Sequence, residues 1–320
     1  MNIDIELLKK FEDTIDTVNP ENGEIPIKIL GFGEMSLVFE IIDDPRHLAY
    51  KRIPIFDTEK QVQRHINAYN EYCRILEKDL NFNLPEHRAI YFRDNKGKIQ
   101  FYSVQAKINP DSVGNKVIHS VSDEEVENLI LLAIKEMKKV WTLNKDNPDL
   151  KVGLDGQISN FAIMNYNPTS LTIDENTKLL YLDTSTPMYR INGVDAMDAE
   201  LFLKSTPSFL RFLIKAMFLQ EVLDRYYDWR LVIIDLVANF FKEQKPEIIP
   251  KLILRINRFF KEEAPEFEMT PLTLIEVQKY YKNDKMIWSI FQTARKIDRY
   301  IKTKLFRKKY DFYLPGKIER

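Results

Sequence analysis

The hydrophobic pattern of this chain changes period once, and that change constrains the fold more than any other feature. From residue 24 to 108 short β-rich runs are punctuated by Gly, Asp and Pro. "EIPIKILGFGEMSLVFEIID" and "HLAYKRIPI" read as a hairpin and a third strand. "RAIYFRDNKGKIQFYSVQAKI" (88–108) reads as a second hairpin turning at Asn95-Lys96-Gly97. One helical stretch interrupts them, residues 58–80, with Val62, Ile66, Tyr69, Cys73 and Leu76 on one face. Beyond Asn109-Pro110-Asp111, which reads as a hinge, the pattern turns mostly helical.

The helical part opens with Ser122 as N-cap and Glu125 three residues on, starting a helix to about Leu143. A polar loop, "KVGLDGQISNFAIM" (151–164), then leads into a strand, and "TKLLYLD" (177–183) supplies another. From about 195 to 310 the periodicity is helical, broken by prolines. An amphipathic helix with Leu7, Leu8, Phe11 and Ile15 precedes everything. The expected class is α+β: an N-terminal extension (1–24), a small antiparallel β lobe with one helix (25–109), and a larger, mainly helical lobe (110–320). Such a layout favours a ligand cleft between lobes.

Composition narrows the function. With 320 residues, 44% of them hydrophobic, and a net charge of −1, the chain has ample core material and no overall bias toward polyanions. Cys73 is the single cysteine, which excludes an internal disulfide and a cysteine-rich zinc site. The four histidines show no metal-ligand spacing. The acidic N-terminus lacks a signal-peptide pattern and no apolar run is long enough to span a bilayer, so a cytoplasmic location is expected.

Several chemistry-bearing residues follow one another along this layout. Gly31 and Gly33, with Ser36 after them, lie in the first hairpin turn, where backbone N–H groups could approach an anion; the plain alternative is turn glycines. Lys51 sits on the third strand, and Glu71, about 20 residues later, could neutralise it if both point inward; a solvated strand lysine and a wet-face glutamate are the alternatives. Asp155 and Asn160 share the polar loop, and Asp183 ends the second strand. An amide and a carboxylate oxygen are hard donors suited to Mg²⁺, and a second carboxylate could accept a proton from an attacking hydroxyl.

In order and topology this set resembles the protein-kinase-like superfamily, over roughly residues 25–190. The resemblance implies a bilobal fold with ATP in the cleft. Gly31 and Gly33 would cover the phosphates and Val38 would pack on adenine. Backbone near Gln105, Lys107 and Ile108 would hydrogen-bond it. Lys51 would reach the α/β-phosphates and pair with Glu71. Asp155 would be the base, and Asn160 and Asp183 would hold Mg²⁺. Asp228, with Asp235 as competitor, would brace the loop. Gly153 stands where many relatives have histidine, Thr184-Ser185 follows Asp183 in place of Phe-Gly, the 165–177 connection is enlarged, and no Ala-Pro-Glu signature closes the segment. These departures resemble the branch of aminoglycoside and choline kinases more than regulated protein kinases.

The expected function is ATP/Mg-dependent phosphotransfer to a hydroxyl, of a small molecule first and a protein second. The alternatives are a pseudokinase scaffold, an atypical protein kinase and a nucleotidyltransferase. "NGVDAMDAE" (192–200) reads as an acidic first helical turn in preference to an acidic substrate rim. The basic segment 295–320 reads as a solvated helix face with a tail; contact with nucleic acid or anionic membrane is the alternative. The set Phe209, Phe212, Phe218, Tyr226, Tyr227 and Trp229 reads as helical core.

Overall fold

The computed structural model describes residues 1–33, 35–207, 210–211 and 219–316. Phe209, Phe212, Phe218 and the last four residues of the basic tail lie outside them. The described chain is a mixed α+β structure with a small antiparallel sheet and a larger helical part.

Five antiparallel strands form the sheet: β1 (Ile27–Phe32), β2 (Leu37–Ile41), β3 (Leu48–Arg52), β4 (His87–Arg93) and β5 (Ile99–Ala106), in the order β1-β2-β3-β5-β4. The expected hairpins are both present, and the second turns through Gly97 at φ +77°, a value that glycine tolerates without strain. Helix α1 (Ile5–Thr14) covers one face. Its Leu8 and Phe11 pack with Phe39, Tyr50, Tyr102 and Val104. Burial of such a side chain contributes about 1.5–3 kcal/mol. Helix α2 (Glu59–Arg74) covers the other face through Val62 and its neighbours. A capping box starts it, Thr58 accepting from the Gln61 N–H while the Gln61 side chain accepts at the cap.

The helical part is built on α3 (Asp123–Asp146), α4 (Trp229–Lys242), α5 (Ile249–Glu262) and α6 (Leu274–Tyr300). Ser122 and Glu125 form the expected capping box of α3. Its core runs from Ile134 and Met137 of α3 to Val232, Leu236 and Phe240 of α4 and Ile256 of α5. Trp229 joins it, stacked on Trp141 with ring centroids 5.4 Å apart. No helix among the described residues is long and apolar enough to cross a membrane.

Five further strands are short. β7 (Phe161–Ile163) and β8 (Leu179–Tyr181) pair as a hairpin where the two strands were expected. β6 (Leu150–Val152), β9 (Tyr189–Ile191) and β10 (Val194–Asp195) form a three-stranded sheet that the periodicity did not announce. Asp195 is therefore a strand residue paired with Arg190, and only Asp198 caps a helical turn, accepting from the Glu200 N–H at 3.1 Å. The tail after α6 differs from a solvated extension. Tyr310, Phe312 and Leu314 are buried with Ile53 and Phe101, and Thr17 donates its hydroxyl to the Tyr310 carbonyl at 2.6 Å.

Candidate functional site

Strand alternation decides what β3 presents to each side. Leu48, Tyr50 and Arg52 point toward α1; Lys51 takes the opposite face. Register places Val38 of β2 and Ser103 of β5 beside Lys51 on that face. The Lys51 ammonium meets Asp183 Oδ1 at 2.7 Å, across 132 residues of chain. Ser185 donates to the same oxygen at 3.1 Å. Burial works to raise the Asp183 carboxyl, but Lys51 together with the Ser185 hydrogen bonds outweighs it and holds the group below the usual carboxylate range.

Asp183 is positioned by the β7–β8 hairpin. The Leu182 N–H donates to the Asn160 carbonyl at 2.8 Å, which ties the end of one strand to the start of the other. The Asn160 side-chain amide donates to the Asp155 carbonyl at 3.2 Å, and the Tyr181 hydroxyl reaches that carbonyl at 3.3 Å. Asp155 Oδ1 accepts from the Gln157 N–H at 3.1 Å. The loop therefore holds Asp155, Asn160 and Asp183 in one locality. Burial pushes the Asp155 carboxyl up to about 7, with the negative fields of Asp235 and Asp183 adding to it and Arg225 opposing. Burial also raises Asp235, which Arg225 partly offsets.

Glu71 is not brought into this group. Its carboxylate is held by Arg74, which also pairs with Asp79. Two residues from Tyr69 on a helix is about 200°, so Glu71 lies opposite the buried stripe. Glu59, the other carboxylate of α2, pairs with Arg93. The inward face of α2 carries His65, Tyr69 and Tyr72. Tyr72 donates to the Gly153 carbonyl at 3.0 Å, and His65 Nε2 meets the Ser185 carbonyl at 3.1 Å. A carbonyl only accepts, so Nε2 carries the proton, and burial lowers the His65 pKa to about 4. The sequence signal for this role was the apolar spacing of α2, which marked its inward face but not its two polar tips.

Gly153 has a packing reason. A Cβ there would come within 3.0 Å of the Tyr226 carbonyl, 3.2 Å of the Tyr227 ring and 3.3 Å of Met188. A side chain at this point would need those neighbours to give way by a few tenths of an ångström. The loop is braced by backbone: Leu154 N–H donates to the Tyr226 carbonyl at 3.0 Å and Gly153 N–H to Met188 at 2.7 Å. Asp228 instead caps α4, accepting from the Leu231 N–H at 3.0 Å.

The glycine turn and the β5 exit are less open than expected. Gly33 spends its N–H on the Ser36 carbonyl at 3.0 Å, and Ser36 is buried. A Cβ at Gly31 would meet nothing within 4 Å, so no close approach here requires glycine. Gln105 donates its amide to the Leu182 carbonyl at 2.8 Å, next to Asp183. Lys107 pairs with Glu40, and its N–H is committed to the His47 carbonyl at 2.9 Å.

As a donor set, Asn160 and Asp183 offer hard oxygens. Asp183 Oδ1 accepts from both Lys51 and the Ser185 hydroxyl. No group of three or more His, Cys, Asp and Glu is placed to hold a metal among the described residues. A Mg²⁺ ion here would complete its six oxygens with phosphate and water, its usual habit.

No curated protein matches this chain. A solved structure titled "WaaP in complex with acyl carrier protein" is similar at 8% sequence identity and a TM-score of 0.36, over 81% of this chain and 89% of that one. An overlap that loose carries no argument about fold or function. Residues 10–299 match a family described as a family of unknown function, DUF6206. That match covers most of the 320 residues, and the chain belongs to the DUF6206 family.

Proposed function

We propose that this chain is an ATP- and Mg²⁺-dependent phosphotransferase of bilobal, kinase-like construction, acting on a hydroxyl of a small molecule. The observation that carries the reading is the Lys51–Asp183 ion pair, formed beside a loop in which Asn160 is tied to Asp155. In this reading residues 25–109 are the sheet lobe, 110–320 the helical lobe and 1–24 an extension. ATP supplies the phosphoryl group, and Mg²⁺ held by Asn160 and Asp183 offsets its charge. Lys51 turns from Asp183 toward the α/β-phosphates. Asp155 orients the acceptor hydroxyl and takes its proton; a pKa near 7 suits a base working at neutral pH. The turn at Gly31, Gly33 and Ser36 covers the phosphates, and Val38, Gln105 and Lys107 border the adenine side.

A second reading, a nucleotide-binding scaffold without turnover, is favoured by one observation: Glu71 is engaged with Arg74, and among the described residues Lys51 pairs with Asp183. Thermal shift with ATP, with and without Mg²⁺, tests both. Stabilisation that needs Mg²⁺ and is lost in Asp183→Asn supports nucleotide binding at this site. No stabilisation in either condition removes both readings. ATP consumption across a metabolite panel, set beside a protein-substrate assay, then separates them. Consumption that ceases in Asp155→Ala supports the enzyme; binding without consumption supports the scaffold.

A further inference from the structure

We propose that the outer face of α6 docks on an anionic lipid bilayer. α6 and the π-helical turn continuing it run from Leu274 to Leu305, and one side alone is packed. Val277, Arg295 and Asp298 are buried on that side. The opposite side carries Ile275, Met286, Ile290 and Ile297, each between 49% and 76% exposed. Single exposed apolar residues are ordinary; four on one helix face form a stripe over about 33 Å at 1.5 Å per residue.

The stripe is not purely apolar. Lys279, Lys282 and Lys304 are exposed on it, within about 40° of Met286 at 100° per residue. The carboxylates of this stretch lie elsewhere. Glu276 pairs with Arg230, Asp298 is buried and pairs with Lys302, and Asp284 is half-buried on the side of Asp235. From Leu274 to Lys309 there are eleven Lys and Arg against three acids, in a chain whose net charge is −1.

This combination selects among occupants. A second copy of the chain pairing by this face would set lysine against lysine with no carboxylate to balance them. A nucleic acid would use the charge and gain nothing from four Ile and Met side chains. An anionic bilayer uses both, headgroups for the ammonium groups and the acyl boundary for the apolar ones. Lysine stems lie along the apolar surface while their charge stays at headgroup level. The opposite face is committed to packing, so the helix lies on the bilayer rather than through it.

Vesicle flotation of the full chain tests this, with phosphatidylcholine alone and with about one-third phosphatidylserine. The chain is expected to float with the anionic vesicles and not the neutral ones. Raising salt to about 0.5 M is expected to weaken binding about tenfold. Ile290→Glu and Ile297→Glu are each expected to weaken it about tenfold with the thermal midpoint unchanged, since both positions are exposed. Lys279→Glu/Lys282→Glu/Lys304→Glu is expected to abolish it. Absence of flotation, equal flotation with both vesicles, or flotation untouched by these variants overturns the proposal. So does light scattering that shows a dimer lost in Ile290→Glu while the wild type ignores vesicles.

Discussion

Neighbouring residues on β3 carry the same charge into two different environments. Arg52 turns toward α1, where its side chain is 3% exposed and its Nε and Nη2 bind both oxygens of Glu12, itself 1% exposed. Its Nη1 reaches the Asp311 carbonyl at 2.7 Å, and Tyr102 donates to Glu12 as well. Lys51 turns the other way, where it is 25% exposed and holds one oxygen of a carboxylate 18% exposed. The first pair is saturated and sealed. The second is single, reachable by solvent and able to exchange partners. Charge on a strand is structural where it is buried and bound on all three nitrogens, and available for chemistry where it keeps a single, solvent-reachable partner.

The contrast is most easily broken at Arg52. Arg52→Met is expected to cost about 3–5 kcal/mol in urea denaturation, because Glu12 is left buried and unpaired. Adding Glu12→Gln is expected to recover part of that loss by removing the stranded charge. A cost near zero for the single variant would mean that the pair is not sealed.

Asp155 offers the next largest effect, visible only as a function of pH. Its carboxyl keeps its proton to about pH 7 in the folded chain, against an ordinary value of 3.8. Between those values the folded state binds the additional proton, so stability falls as pH rises through that window and is level above it. Asp155→Asn is expected to raise the thermal midpoint by a few degrees at pH 8 and to leave it unchanged at pH 4. His65 contributes the opposite slope, stability being lost as pH falls from 6.5 toward 4. That slope is common to both proteins and cancels in their difference. A midpoint difference independent of pH would remove the crowding of Asp155 by Asp235 and Asp183.

Lys51→Met is expected to cost only about 1 kcal/mol, the range of partly exposed pairs. A loss as large as that of Arg52→Met would put the two pairs in one class. Smallest of all, Glu71→Gln is expected to change stability by less than about 0.5 kcal/mol, since its partner Arg74 is exposed. A larger loss would show that Glu71 acts on the Lys51 side after all.

What was legible in the sequence was local. Period 2 against period 3.6 separated the sheet from the helices, the Ser122–Glu125 capping box fixed the start of α3, and Gly97 marked its turn. Lys51, Asp155, Asn160 and Asp183, singled out by their order along the chain, are brought into one locality, whereas Glu71, expected beside Lys51, is held by Arg74. The three-residue strands β6 (LKV) and β9 (YRI) were not legible, because so short a run with a charge at its centre lacks the apolar run that marked β7 and β8.

Partner choice was decided by tertiary structure alone. Whether Lys51 meets Glu71 or Asp183 depends on which face α2 turns inward and on a hairpin more than a hundred residues away. The same holds for Gly153, whose missing side chain is explained by Tyr226, Tyr227 and Met188 crowding it from separate segments. Periodicity records how each element is wetted; it carries no term for which distant polar atom will fill the space left between two of them.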